Sequence, residues 1–154
     1  MILSKPFLSL VIPVYNEAQR LPQAIQKIDA FVQQNNSQVE VLIVENGSSD
    51  DTLSTAQSLA QTRLFLRVFS ETERGKGLAV KRGMLEARGE YRVMCDVDFS
   101  MPIDQVSRFI PPNLADVEVA IGSREVPGAR RFEEPAYRHL IGRIFNTMVR
   151  WLVL

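Results

Sequence analysis

Two apolar, β-branched runs constrain this chain more than anything else in it: Phe7-Leu8-Ser9-Leu10-Val11-Ile12-Pro13 and Val39-Glu40-Val41-Leu42-Ile43-Val44. A strand with one wet face alternates apolar and polar residues. Near-continuous runs like these belong to strands covered on both faces, as in parallel sheets. Between them, Leu21, Ala24, Ile25, Ile28 and Val32 fall on one face of a helix predicted over Leu21 to Gln34. Leu64 to Phe69, Tyr91 to Asp98 and Val117 to Ile121 repeat the strand pattern, and a helix is predicted to run from Arg74 to about Ala87. The expected order is strand, helix, strand, helix, strand, helix, strand, short helix, strand, loop, helix. That alternation predicts an α/β fold with a mainly parallel sheet and helices on both faces. The chain has 154 residues, which suits one domain with a real core over residues 1–154.

Candidate chemistry gathers where the predicted strands end. The run Tyr91-Arg92-Val93-Met94-Cys95-Asp96-Val97-Asp98 closes on two carboxylates one residue apart. In open α/β sheets, ligands bind beyond the carboxyl ends of the strands. Two hard oxygen ligands there suit Mg²⁺ or Mn²⁺ that also holds a substrate diphosphate. Val14-Tyr15-Asn16-Glu17 follows the first strand. The turn Glu45-Asn46-Gly47-Ser48-Ser49-Asp50-Asp51-Thr52 follows the second, with a glycine for a tight bend and Ser49, Asp50 or Asp51 to cap the next helix. Arg74-Gly75-Lys76-Gly77 opens the third helix, its glycines allowing close backbone approach and its cations suited to phosphate.

Val11-Ile12-Pro13-Val14-Tyr15-Asn16-Glu17, the Gly47-Ser48-Ser49-Asp50 turn, Arg74-Gly75-Lys76-Gly77 and Asp96-Val97-Asp98, in that order and spacing, resemble the family 2 glycosyltransferases. That resemblance implies a nucleotide-sugar-binding domain of the GT-A fold. Ser100-Met101-Pro102, Gly122-Ser123-Arg124, Tyr137-Arg138 and Gly142-Arg143-Ile144-Phe145-Asn146 narrow it toward the polyprenyl-phosphate glycosyltransferases, the dolichyl-phosphate β-glucosyltransferases among them. The resemblance implies an inverting transfer of a hexose, with glucose expected, from a nucleotide diphosphate sugar to a polyprenyl phosphate. It makes Asp98 the direct metal ligand, and Asp96 a partner of ribose or of the metal through water. Pro13, Tyr15 and Glu17 match positions that contact base and ribose. Asn46 stands where an aspartate commonly accepts the base N–H, and keeps an acceptor oxygen without the charge. Uracil is the expected base, with guanine its competitor, so UDP-glucose is the expected donor. Lys76 is placed for the diphosphate. Arg124 matches an arginine near the acceptor phosphate, with Arg131 and Arg143 as further candidates. Two other readings stay open: a glycan-extending enzyme with a sugar-hydroxyl acceptor, and a nucleotide-sugar-binding domain without turnover.

Charge is balanced, 18 basic residues against 18 acidic, so no global field draws the chain to nucleic acid. The one cysteine, Cys95, forms no internal disulfide and is expected to be a small buried hydrophobe. His139 is expected to be a surface or cap group. The start of the chain does not read as a signal peptide, and no apolar run reaches the length of a membrane span. The segment Glu125 to Glu134 is expected to be a loop. Ala136 to Leu154 is expected to be a helix whose apolar stripe, flanked by arginines, packs in a core, on a partner or on lipid. Because this helix runs to the last residue, the chain is expected to lack a C-terminal acceptor-side portion. The complete protein is expected at the cytoplasmic face of a membrane, attached peripherally.

Overall fold

The computed structural model describes residues 5–35, 38–123 and 136–153. They group into two compact units, residues 1–116 and 117–154.

The first unit is a four-stranded parallel sheet with helices on both faces. Strands β1 (Leu8–Val14), β2 (Val39–Asn46), β3 (Leu66–Glu71) and β4 (Tyr91–Met94) lie in the order β3-β2-β1-β4. Helices α1 (Leu21–Gln34), α2 (Thr52–Ala60) and α3 (Lys76–Glu86) connect them, and a 3₁₀ segment, Ile103–Phe109, follows β4. Alternation along the central strands sorts the core. Leu8, Leu10, Ile12 and Val14 of β1, with Val39, Val41 and Ile43 of β2, pack with Leu21, Ile25, Ile28 and Phe31 of α1 and Ala56 of α2. Val11, Leu42 and Phe69 meet α3 through Met84 and Ala87 on the other face. Leu10, Ile12, Ile25, Ile28 and Ile43 are fully buried, each contributing about 1.5–3 kcal/mol of hydrophobic stabilisation. Helix α3 approaches the sheet so closely that a Cβ on Gly83 would lie 2.3 Å from Val11 Cγ1.

Both continuous apolar runs are central, doubly covered strands, and α1 has the predicted bounds. Three boundaries moved. The third strand starts at Leu66, because the ladder pairs Leu66 with Val41 and leaves Leu64 in solvent. Helix α3 begins at Lys76, since Gly75 has φ 158° and ψ 111°, outside the helical region. Strand β4 ends at Met94, so Cys95 to Asp98 leave the sheet and form the loop beyond its carboxyl edge. The predicted fifth strand, Val117 to Ile121, is not formed. A strand exists only where a neighbour takes up its backbone hydrogen bonds. Among the described residues this segment has no such partner, and Val117, Val119 and Ile121 are exposed.

A buried polar knot fastens the amino-terminal end of the sheet. The Glu40 carboxylate is 6% exposed. Its Oε1 accepts hydrogen bonds from Ser9 Oγ (2.6 Å), Gly89 N (3.2 Å) and Arg88 N, while Oε2 accepts from Arg67 Nη1 (3.1 Å). Burial alone would push this carboxyl up. The Ser9, Arg88 and Arg67 hydrogen bonds and the Arg67 charge outweigh burial and hold it below the usual value.

In the second unit, α4 (Ala136–Val153) is an amphipathic helix without an aspartate or glutamate. Ile141, Ile144, Phe145, Met148, Trp151 and Leu152 are exposed. Among the described residues, no helix is long and apolar enough to cross a membrane.

Candidate functional site

The sheet order reverses direction at β1, whose neighbours are β2 on one side and β4 on the other. Ligand crevices open at such a switch point, outside the carboxyl ends of the strands. A cleft of about 620 Å³ lies there. Its lining comes from four chain segments: Pro13 and Val14 at the end of β1 with Tyr15 and Glu17 after it, Asn46 at the end of β2, Arg74 and Gly75 before α3 with Lys76 as its first residue, and Asp96, Val97 and Asp98 after β4. The first unit thus brings Pro13, Tyr15, Glu17, Asn46, Lys76, Asp96 and Asp98 to one cleft. Arg143 lies on α4 in the other unit, exposed. Arg124, Arg131 and the predicted loop Glu125 to Glu134 lie outside the described residues.

The loops after β1 and β2 are laced together. Asn16 N donates to Ser48 Oγ (3.0 Å), Glu17 N to Thr52 Oγ1 (2.8 Å), and Ser49 N to Asn16 Oδ1 (2.9 Å). Asn16 has φ 53°, a left-handed conformation that asparagine tolerates better than most residues. Gly47, at φ 65°, makes the tight bend after β2. Of the three residues expected to cap α2, Asp51 stands at the N-cap without a side-chain cap bond, while the preceding Asp50 takes the first helical N–H: its Oδ1 accepts from Thr52 N (3.0 Å). The Thr52 hydroxyl bond, followed by backbone bonds from Thr52 and Ala18, outweighs desolvation and lowers the Asp50 pKa. Sequence reasoning did not single out Asn16, Ser48 and Thr52 as loop-lacing groups, because their partners lie more than thirty residues away.

The cleft holds charges of both signs. Lys76 Nζ sits 2.5 Å from Asp96 Oδ1, with both side chains at least half exposed. The Arg74 guanidinium lies over the Tyr15 ring, 5.6 Å from its centroid. Asp98 Oδ1 accepts from Ser100 N (2.9 Å) and Ser100 Oγ (2.7 Å), which orients the carboxylate. Ser100 was visible in the sequence only as a family marker; its role as a support for Asp98 appears in the structure. Asn46 is buried and faces the backbone of Gly75 with both polar atoms of its amide. Beside the cleft, Cys95 is buried, and burial, followed by the neighbouring Asp96 charge, pushes its thiol up to about 11.

Among the described residues, no three or more of His, Cys, Asp and Glu group tightly enough to cage a metal. Asp96 and Asp98 both line the cleft and supply one or two carboxylates to it. That donor set fits Mg²⁺ or Mn²⁺ shared with substrate phosphates, because such ions keep waters and take few protein ligands.

A parallel sheet with helices on both faces and a carboxylate-bearing loop at its switch point defines an α/β domain, here of the GT-A fold. The chain matches the family described as "Glycosyl transferase family 2" over residues 9–152, and it belongs to that family. It is 35% identical over 136 residues to the dolichol-phosphate mannosyltransferase of Pyrococcus furiosus, covering 88% of this chain and 38% of that protein. It is 36% identical over 131 residues to the dolichyl-phosphate beta-glucosyltransferase of Drosophila melanogaster, covering 76% and 40%. The mannosyltransferase PcManGT from Pyrobaculum calidifontis, solved in complex with GDP-Man and Mn²⁺, superposes with a TM-score of 0.55 at 32% identity, over 61% of this chain and 28% of that one. The chain thus spans about two fifths of the length of these curated relatives.

Proposed function

We propose that this chain is the donor-binding part of a glycosyltransferase that moves a hexose from a nucleotide diphosphate sugar to a polyprenyl phosphate. One observation carries the proposal: the cleft at the switch point is lined by Asp96 and Asp98 together with Arg74 and Lys76. A nucleotide diphosphate is both a ligand for cations and a bridge between carboxylate-bound metal and protein. The names of the relatives support the acceptor class. Two sugars, mannose and glucose, appear in the names of the two curated relatives, but each name specifies a dolichol or dolichyl phosphate.

In the proposed reaction, Pro13, Tyr15 and Glu17 hold base and ribose, and Tyr15 presents a ring face already backed by Arg74. Asp98, oriented by Ser100, and Asp96 would hold Mg²⁺ or Mn²⁺, which supplies charge neutralisation for the leaving diphosphate. Lys76 exchanges its Asp96 partner for phosphate oxygens when donor binds. An acceptor phosphate is ionised at neutral pH, so it needs cationic positioning more than a general base. Arg124 takes that role, with Arg131 and Arg143 as further acceptor-side cations. In-line attack on an α-linked donor inverts the anomeric carbon and gives a β-linked lipid phosphate sugar. We propose UDP-glucose as donor, residues 1–154 as one nucleotide-sugar-binding domain, and a cytoplasm-facing membrane surface as the place of work. Exposed apolar side chains beside Arg143 and Arg150 on the acid-free α4 suit such a surface.

A competition series with UDP, GDP, UDP-glucose and GDP-mannose, with and without Mn²⁺, tests the donor. Tighter binding of GDP-mannose reverses the sugar assignment, and metal-independent binding removes the roles given to Asp96 and Asp98. In the full-length protein, Arg124→Ala should keep donor affinity and lose transfer to a polyprenyl phosphate. Transfer to a soluble sugar but not to lipid phosphate would establish the glycan-extending alternative.

A further inference from the structure

We infer that Asn46 is a positioning residue that acts on the nucleotide through the Arg74-Gly75-Lys76 loop, not a reader of the base; this rests on the nucleotide-binding reading of the cleft. Asn46 ends β2 and is 5% exposed. Its Oδ1 accepts from Gly75 N at 2.7 Å, and its Nδ2 donates to Gly75 O at 3.0 Å. A second carbonyl, that of Glu73, lies 3.5 Å from the same nitrogen. One primary amide therefore closes on the N–H and C=O of a single residue, and the two backbone groups dictate which amide atom faces which.

The held residue lies between the two cations of the cleft. Arg74, on one side of Gly75, lies over Tyr15; Lys76, on the other, reaches Asp96 and begins α3. Gly75 O also accepts from Leu78 N and Ala79 N, bonds internal to the start of α3. Asn46 is thus a buried polar link from the sheet's carboxyl edge to the segment that presents positive charge to the diphosphate. An aspartate of the same shape cannot do this. It would accept from Gly75 N but set a carboxylate oxygen against the carbonyls of Gly75 and Glu73, with no proton between them. In this chain the asparagine amide is therefore matched to the loop, whatever base the cleft takes.

The test compares the wild-type chain with Asn46→Asp in three nucleotide titrations, UDP, GDP and UMP, each with Mn²⁺, alongside amide exchange at Gly75. The expected result is a loss of about tenfold in affinity for UDP and for GDP by the same factor, as follows from losing a buried hydrogen bond and stranding its partner. UMP, which lacks the second phosphate, should lose several-fold less, and the Gly75 amide should exchange faster. If Asn46→Asp does not fold, Asn46→Ala removes the whole amide without adding charge and carries the same comparison. A changed UDP-to-GDP ratio with Gly75 exchange unaltered makes Asn46 a base reader and overturns the inference, as does unchanged affinity. A wild-type chain that binds neither UDP nor GDP overturns the donor reading itself. It is told apart because the failure then lies in the wild type.

Discussion

The Glu40 knot offers the sharpest quantitative test of how this sheet is held. Replacing Glu40 with glutamine keeps the shape and one acceptor oxygen. Ser9 Oγ and the Gly89 and Arg88 N–H groups can still be served by that oxygen. The Arg67 guanidinium, 3.1 Å from Oε2, loses its anionic acceptor and meets an amide nitrogen instead. Breaking a buried ion pair outright costs about 3–5 kcal/mol. Arg67 is not orphaned, since Glu86 O lies 2.9 Å and Glu86 Oε2 3.7 Å away. The cost should therefore be that of one hydrogen bond to a charged group, about 1.5–3 kcal/mol. At about 4 °C per kcal/mol for a chain of this size, Tm should fall by about 6–12 °C at pH 7. The pH dependence fixes the sign. The folded carboxyl lies below its ordinary value of 4.5, so its contribution is full above that pH and is lost as pH falls through the folded pKa. The gap between wild type and Glu40→Gln, followed by urea unfolding from pH 7 to pH 3, should close toward acid. A gap that stays constant, or a variant as stable as wild type at pH 7, would refute the reasoning. Donor affinity well below Tm should not change, because Glu40 sits at the opposite end of β2 from the cleft, about 20 Å from Asn46 at the rise of a strand.

Three further outcomes follow from the site and its packing. Asp98→Asn should abolish most Mn²⁺-dependent nucleotide affinity while leaving the far-ultraviolet dichroism and Tm near wild type; undiminished binding in calorimetry would remove Asp98 from the metal site. Gly83→Ala should destabilise the fold by about 1–3 kcal/mol, since its Cβ would overlap Val11 Cγ1 in a packed face, and thermal unfolding reads this directly. Cys95, buried with its thiol pushed up to about 11, should resist iodoacetamide at pH 8 in the folded chain and react once urea unfolds it; fast labelling of the native protein would contradict its burial.

Much of this architecture is legible in the chain because its signals are local. Doubly covered strands have to be continuously apolar, so Phe7–Pro13 and Val39–Val44 announce the parallel sheet. An amphipathic helix shows its period within fourteen residues, so α1 is bounded correctly. Asp96-Val97-Asp98, Tyr15 and Lys76 can be suspected as ligand groups because parallel topology sends the carboxyl ends of all strands to the same edge. What the sequence could not decide is everything that depends on a partner distant along the chain. The start of β3 was set by pairing with Val41, and among the described residues no strand pairs with Val117 to Ile121. Asn46 carries the same letters whether it meets a base or Gly75. Only the folded chain brings residues 46 and 75 within 2.7 Å and gives the amide its partner. Propensity and periodicity act over one element at a time, whereas hydrogen-bond partners, ion pairs and register are chosen by tertiary packing.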